Sequence, residues 1–223
     1  MVSVIFDLDN TLYDAKQYFS GAFNEIAAYL SKKHNVAGNN TYKRLMKIWK
    51  TKTSTYPYLF DDLLNNLELK NELKNTIKIF NEHDSLLKPY DDVIPTLKEL
   101  KKKNFKLGII TDGNIERQKR KMKSLGIADF FDVIVLTKKL GNPKPSEIPF
   151  QKATNKLKVI PQNSFYVGDN PLIDFKGAKK IGMKTIRILK GEFKTISKDK
   201  YIDYEIKEIK ELLNIIEGGK IWY

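Results

Sequence analysis

The sequence predicts an α/β protein: a Rossmann-like parallel sheet core flanked by helices, with an all-helical domain inserted after the first strand. Two observations predict this class. From residue 88 onward, short apolar strands alternate with helical patterns, whereas residues 15–87 show helical patterns and no convincing strand. Such alternation is typical of right-handed βαβ units. We therefore expect an α/β core domain of residues 1–14 and 88–223 and a helical inserted domain of residues 15–87.

The core elements follow one another in a regular order. The opening run VSVIFD predicts a buried first strand over residues 2–7. Further apolar runs predict strands at 105–111, 132–137, 164–169 and 185–189. Amphipathic patterns predict helices at 93–104, 115–126, 147–157, 172–182 and 205–216. Two of these helices end at a glycine, which is a good stop signal, and residues 217–223 are predicted to be a tail.

The inserted segment shows helical spacing three times. AFNEIAAYLSKKH, at residues 22–34, and YKRLMKIWK, at residues 42–50, have apolar residues three and four positions apart. Residues 63–80 show the same spacing less regularly. The connector SLLKPYDDV then returns the chain to the alternating pattern of the core.

Composition excludes several kinds of site. The 223 residues include no cysteine, which excludes disulfides, thiolate metal sites and a cysteine nucleophile. The two histidines lie far from other notable polar clusters, which argues against a histidine zinc site and a Ser–His–Asp triad. The apolar fraction of 41% is typical of a folded protein with a full core.

The net charge of +13 raises the question of a nucleic-acid partner. Only four of the 40 basic residues are arginine, the residue on which base recognition chiefly depends. We interpret the lysines, including the runs at 101–103 and 119–123, as solvated helix faces, and do not expect nucleic acid as a partner. A positive field is compatible with capture of a small phosphorylated metabolite.

Location is predicted from two features of the chain. The first strand begins at residue 2, which leaves no room for a signal peptide, and no apolar stretch approaches the ~18 residues of a membrane span. We therefore expect a cytoplasmic protein without a membrane partner. The sequence makes no prediction of oligomeric state.

Polar residues follow each predicted strand of the core. Because ligands bind beyond the carboxyl ends of strands in an open parallel sheet, we expect these residues to lie close together. They are Asp7 and Asp9 after the first strand, Thr111 and Asp112 after the second, Lys144 in the loop after the third, and Asp169 and Asp174 after the fourth.

These residue types favour phosphoryl transfer. Carboxylates suit Mg²⁺, which keeps part of its coordination for water and substrate, while a lysine and exposed N–H groups suit a phosphate. An aspartate that attacks phosphorus forms an acyl phosphate that water then hydrolyses. A second carboxylate two residues away can protonate the leaving oxygen and later deprotonate that water. Asp7 and Asp9 have this spacing.

Four segments resemble a known family. FDLDNTLYD, IITDGN, GNPKPSEIPF and YVGDNPLIDFKGA resemble, in order and character, the four motifs of the haloacid dehalogenase superfamily. The resemblance implies that Asp7 is the nucleophile and a magnesium ligand. It also implies that Asp9 is the general acid and base, with its backbone carbonyl on the metal, and that Asp169 is a direct metal ligand.

The resemblance assigns the remaining residues as well. It implies that the Thr111 hydroxyl and the neighbouring N–H groups, including that of Asp112, bind phosphate. Lys144 would neutralise the phosphoryl oxygens, with Lys138 and Lys139 as weaker candidates. Asp174 would be an outer-shell acid that holds a metal-bound water or orients Lys144. The helical insertion resembles a cap that closes over the core and contacts the substrate.

Asp9 decides between branches of the superfamily. The dehalogenases lack an acid at this position, because release of a halide needs no proton donor, so Asp9 predicts a phosphatase acting on a small phosphomonoester. A phosphomutase keeps both acids and stays an alternative. A second alternative, from another class, is a non-catalytic protein of the same fold that binds a polyanion.

Overall fold

A computed structural model describes residues 1–218, so that most of the predicted tail lies outside the described residues. The chain divides into two compact units, one of residues 1–14 and 88 onward and one of Ala15–Leu87. Within the described range, no helix combines the length and apolar character needed to cross a lipid bilayer.

The core unit is built on a parallel sheet. Within residues 1–218 the sheet has six strands in the order β3-β2-β1-β4-β5-β6, and every neighbouring pair is parallel. The strands are β1 Ser3–Phe6, β2 Lys106–Thr111, β3 Val133–Leu136, β4 Ser164–Gly168, β5 Lys184–Ile188 and β6 Tyr204–Ile206. The predicted fold class, a Rossmann-like α/β core, is confirmed.

Helices connect these strands. Those of the core unit are α5 Val93–Lys102, α6 Ile115–Ser124, α7 Thr137–Leu140, α8 Ile148–Leu157, α9 Phe175–Lys180 and α10 Glu211–Gly218. All four residues of β1 are buried, as are all five of β4, which is the pattern of strands covered on both faces. Strand β1 lies between β2 and β4, so the order of the chain through the sheet reverses beside it.

The end of the core unit differs from the prediction. Residues 204–206 form β6 beside β5, and α10 begins only at Glu211, whereas a helix was predicted over 205–216. The apolar spacing of Ile206, Ile209 and Leu212 fits a helix. The backbone at Ile206 instead accepts a hydrogen bond from Leu189 N at the sheet edge, at 2.8 Å. Long-range pairing therefore overrides the local pattern here.

The helical unit contains α1 Lys16–His34, α2 Gly38–Lys52, α3 Leu59–Asn66 and α4 Leu73–Glu82. The predicted helical stretch 63–80 is thus divided between two helices. Glu68 has a positive φ of 58°, which ends a regular helix, and a 3₁₀ turn at Lys70–Glu72 follows. Phe23, Phe60 and Phe80 pack together in the core of this unit, with ring centroids 5.1–6.4 Å apart.

A buried carboxylate joins the helices of this unit. Glu72 is 2% exposed and accepts hydrogen bonds from Tyr29 at 2.6 Å, from His34 at 2.9 Å and from Asn75 at 2.9 Å. Its ion pair with Lys33 spans 2.8 Å. The hydrogen bonds from Lys33, Tyr29 and Asn75 hold the pKa of Glu72 well below its ordinary value. The charged form of Glu72 therefore stabilises the folded unit.

Glu72→Gln is expected to lower the free energy of unfolding by about 1–3 kcal/mol at pH 7, because it weakens charge-assisted hydrogen bonds to a buried acceptor. A depressed pKa stabilises the fold above the ordinary pKa of about 4.3, and this contribution is lost as the pH falls below it. Urea denaturation of both proteins should therefore show a difference that shrinks toward pH 3. A difference that stayed constant with pH would contradict this role of the charge.

Candidate active site

The ends of three adjacent strands bring the predicted residues together. Asp7 follows β1, and its N–H donates to Val167 O of β4 at 2.8 Å, which fixes its backbone in the sheet. Thr111 is the last residue of β2, and Asp169 directly follows β4. Asp7, Thr111 and Asp169 are all buried. The predicted cluster at the carboxyl edge of the sheet is therefore present in the fold.

Lys144 lies at the centre of this cluster. Its Nζ donates to Asp7 Oδ1 at 2.5 Å and to Asp174 Oδ1 at 2.7 Å, and the side chain is 2% exposed. Burial alone would lower the pKa of Lys144, but Asp174 and Asp7 outweigh it and raise that pKa well above its ordinary value. Lys138 and Lys139 are both exposed. The structure thus places Lys144, and neither alternative lysine, in the cluster.

Asp112 supports the loop that carries Lys144. Its Oδ1 accepts hydrogen bonds from the Thr137 hydroxyl at 2.5 Å and from Lys144 N at 3.3 Å. Thr137 was predicted to end the third strand but begins α7 instead. The side chain of Asp112 is therefore committed to the loop, and phosphate binding by its backbone N–H stays a prediction.

Asp174 and Tyr166 complete the surroundings of Lys144. The Tyr166 hydroxyl donates to Asp174 Oδ1 at 3.1 Å, and Asn170 N donates to Asp174 Oδ2 at 2.9 Å. Gly168 permits this arrangement, because a Cβ there would meet Asp174 Oδ2 at 2.5 Å. Sequence reasoning missed Tyr166. A tyrosine in a fully buried strand was the available signal, since its hydroxyl needs a partner.

The acids of this cluster fit a divalent cation. Carboxylate oxygens of Asp7, Asp169 and Asp174 lie within 4.8 Å of one another. Both oxygens of Asp174 accept hydrogen bonds, whereas the buried Asp169 Oδ2 has no hydrogen-bond partner among the described residues. Three carboxylates and one ammonium leave two negative charges. A carboxylate oxygen without a hydrogen-bond partner, next to this negative charge, suits Mg²⁺, and Asp7 and Asp169 are the residues available to bind it.

The pKa values of these acids reflect the same imbalance of charge. Burial, with the nearby charges of Asp174 and Asp9, raises the pKa of Asp7 to about 7 although Lys144 opposes the shift. Burial, Asp174 and Asp7 likewise raise the pKa of Asp169 well above its ordinary value. Lys144 alone therefore does not compensate the three carboxylates.

Asp9 has different surroundings. Its Oδ1 accepts from Lys121 Nζ at 2.6 Å and from the Tyr13 hydroxyl, and its Oδ2 accepts from Gln118 Nε2 at 2.9 Å. Burial favours the neutral acid, but the Lys121 charge and the three hydrogen bonds outweigh it and lower the pKa of Asp9 to about 2. In this arrangement Asp9 is ionised, the form that accepts a proton. Gln118 Nε2 also donates to Thr111 Oγ1 at 2.6 Å.

The interpretation of the 119–123 run as a solvated face is wrong for Lys121. Lys121 is 3% exposed, and burial lowers its pKa. The helix α6 buries Gln118, Lys121 and Met122, which share one face. The available signal was spacing: Gln118 and Lys121 lie four positions and one position before the apolar Met122, so that all three fall on the face of the helix that packs against the core.

Comparisons with known proteins bear on the family and the fold of the chain. A family model described as haloacid dehalogenase-like hydrolase matches residues 4–188. A glyceraldehyde 3-phosphate phosphatase from Methanocaldococcus jannaschii is 36% identical over 222 residues, which are 97% of each chain. One from Methanopyrus kandleri is 34% identical over 96% of each chain. The crystal structure of an HAD phosphatase from Thermococcus onnurineus matches with a TM-score of 0.72 and 25% identity, and covers 99% of this chain and 100% of that one.

Proposed function

Because the chain belongs to the haloacid dehalogenase-like hydrolases and is a phosphatase of that family, we propose that it is a magnesium-dependent enzyme that hydrolyses a small phosphomonoester through an aspartyl phosphate on Asp7. The observation that carries this proposal is the contact of buried Lys144 with Asp7 and Asp174 beside the unpartnered oxygen of Asp169. This set has a nucleophile, a cation for phosphoryl oxygens and donors for a metal.

In the first step, a carboxylate oxygen of Asp7 attacks phosphorus. The new bond joins Asp7 to phosphorus, while the bond to the leaving oxygen breaks and its electron pair stays on that oxygen. Because Asp9 is ionised in its own surroundings, the proton comes with the substrate, whose phosphate monoanion carries one; Asp9 takes up this proton, gives it to the leaving oxygen and becomes a carboxylate again. Lys144 lies 2.5 Å from Asp7 Oδ1 and so stabilises negative charge on the phosphoryl group.

In the second step, water attacks the phosphorus of the acyl phosphate. Asp9 takes a proton from this water, and the bond between Asp7 and phosphorus breaks, which restores the Asp7 carboxylate and releases phosphate. Asp9 is ionised in these surroundings, which is the form that a base of this step needs. Magnesium bound by Asp7 and Asp169 would supply further neutralisation of the phosphoryl oxygens.

We propose glyceraldehyde 3-phosphate as the first candidate substrate, on the basis of the two full-length relatives. The helical unit, residues 15–87, is the part to which we assign substrate selection. To test this choice, the kcat/KM for phosphate release is measured with glyceraldehyde 3-phosphate and compared with the values for sugar phosphates, phosphoglycolate, nucleoside monophosphates and glycerol phosphates. A higher value for another ester would overturn the substrate, and no release from any ester would overturn the hydrolase.

The phosphomutase alternative is tested with the same samples. Phosphorus NMR distinguishes free phosphate, the product expected of a hydrolase, from a phosphate moved to another hydroxyl of the substrate. The relatives over the whole chain favour the hydrolase over the mutase and over a non-catalytic polyanion-binding protein.

Removal of magnesium with EDTA is expected to abolish phosphate release, and added magnesium to restore it. Binding has a second readout. Millimolar magnesium should raise the melting temperature of the wild type by roughly a few degrees, because it binds only the folded state. Asp169→Asn should lose this increase, while Asp129→Asn, at an exposed position of the core unit, should keep it. An equal increase in all three proteins would contradict Asp169 as a ligand.

A further inference from the structure

Three side chains outside the predicted site hold the carboxylate of Asp9. They are Tyr13, Gln118 and Lys121, and together they are called the Asp9 clamp. Lys121 Nζ lies 2.6 Å from Asp9 Oδ1, and Gln118 Nε2 lies 2.9 Å from Asp9 Oδ2. The Tyr13 hydroxyl also donates to Asp9 Oδ1. Gln118 is fully buried and Lys121 nearly so, which makes the clamp part of the interior of the core unit.

Two buried polar residues of α6, Gln118 and Lys121, pair with Asp9. Burial of a lysine is costly unless the charge is paired, and a buried ion pair is often no more stabilising than apolar side chains of similar volume. Gln118 and Lys121 lie three residues apart and therefore share one helical face. Apolar side chains at these two positions would leave the carboxylate of Asp9 without its ionic and hydrogen-bond partners, so the polar groups of Gln118 and Lys121 serve Asp9.

The clamp leaves one direction open at Asp9. A carboxylate has about four acceptor positions, two on each oxygen. Lys121 and Tyr13 both donate to Oδ1, and Gln118 donates to Oδ2. Among the described residues, one position on Oδ2 therefore receives no donor. A leaving oxygen can therefore approach Oδ2, the oxygen that Gln118 holds.

Gln118 also links Asp9 to Thr111. The same Nε2 atom donates to Thr111 Oγ1 at 2.6 Å, so a single amide joins the acid and base to the threonine expected to bind phosphate. A leaving oxygen is one bond away from the phosphorus of that phosphate. An amide that contacts both Asp9 and Thr111 can therefore hold Asp9 at the distance that proton transfer needs.

We propose that Gln118 and Lys121 are positioning residues that direct Asp9 Oδ2 at the leaving oxygen of the substrate. This inference rests on the proposed function, in which Asp9 gives its proton to that oxygen as the bond to phosphorus breaks. Neither residue touches the reacting atoms, and both act through Asp9. Their effect therefore depends on how much the leaving group needs a proton.

The test compares two esters of similar size. Nitrophenolate leaves p-nitrophenyl phosphate without a proton, whereas the alkoxide of benzyl phosphate needs one. Single-turnover release of each alcohol is measured for Gln118→Leu and Lys121→Met. Because the loss of Lys121 also raises the pKa of Asp9, the rates are compared at the maximum of each variant's pH profile. There we expect a loss of about 10- to 100-fold with benzyl phosphate, the range for misplacement of a catalytic group. The loss with p-nitrophenyl phosphate should be less than about threefold.

Three controls make the result decisive. Lys123→Met changes an exposed lysine of the same helix and should leave both rates unchanged. Asp9→Asn should show the selective loss in a stronger form. Lys121→Arg and Gln118→Asn keep a hydrogen-bond donor but change its position. They are used instead of Lys121→Met or Gln118→Leu if the melting temperature shows that either of these does not fold.

The outcomes separate the inference from the function on which it rests. Equal losses on the two esters in the clamp variants, beside a selective loss in Asp9→Asn, would overturn the positioning role alone. Equal losses in Asp9→Asn as well would overturn Asp9 as the proton donor, and the proposed first step with it. A selective loss in the clamp variants and in Asp9→Asn supports both.

Discussion

Asp7→Asn is expected to lower phosphate release by roughly four orders of magnitude or more, because the amide oxygen does not replace a carboxylate as the nucleophile. The structure predicts that the variant folds. Lys144 keeps its partner Asp174, at 2.7 Å, and the amide has the shape of the carboxylate. Since Asp7 is a buried acid whose charge is poorly compensated, the melting temperature should equal or exceed that of the wild type.

Two measurements check this expectation. Turnover of p-nitrophenyl phosphate with magnesium is compared for the wild type, Asp7→Asn and the exposed control Asp129→Asn. In addition, acid quenching of the wild type during turnover of a phosphate-labelled ester should trap label on the protein, and hydroxylamine should release it, as for an acyl phosphate. Near-normal turnover in Asp7→Asn, or label that persists in that variant, would exclude Asp7 as the nucleophile.

Lys144→Met is expected to abolish activity and to lower the free energy of unfolding by about 3–5 kcal/mol at pH 7, the cost of removing one partner from a buried ion pair. The ammonium contacts both Asp7 and Asp174, and its loss leaves two buried carboxylates without a counter-charge. Removing it should therefore raise the pKa of Asp7 above the value of about 7 that it has beside Lys144.

The direction of the pH dependence follows from the raised pKa of Asp7. An acid whose folded-state pKa lies above its unfolded value destabilises the fold once the pH rises through that range. The deficit of Lys144→Met should therefore be largest at neutral pH and shrink toward pH 5. Urea denaturation in EDTA measures it, with Lys139→Met as the exposed control. A deficit below about 1 kcal/mol at pH 7 would show that Lys144 does not neutralise the buried acids.

Much of the site was predictable because it depends on topology. Parallel strands bring their carboxyl ends to one edge, so Asp7, Thr111 and Asp169 were expected to meet once the strands were recognised. Family membership and the phosphatase class, predicted from the four motifs, are confirmed by the comparisons. The roles of the individual residues, the cap and the magnesium ion stay predictions.

The sequence by itself determined the class of fold, the order of the first five strands, and the identity of the residues at the strand ends, whereas it missed β6. Only the tertiary structure decided which partners these residues have. Lys121 reads as one of several surface lysines, yet the packing of α6 buries it against Asp9. Tyr166 and Gln118 likewise gain their partners through contacts between distant segments. Local periodicity indicates which face of a helix or strand is apolar. The partner of a buried polar side chain depends instead on which distant segments the fold places beside it.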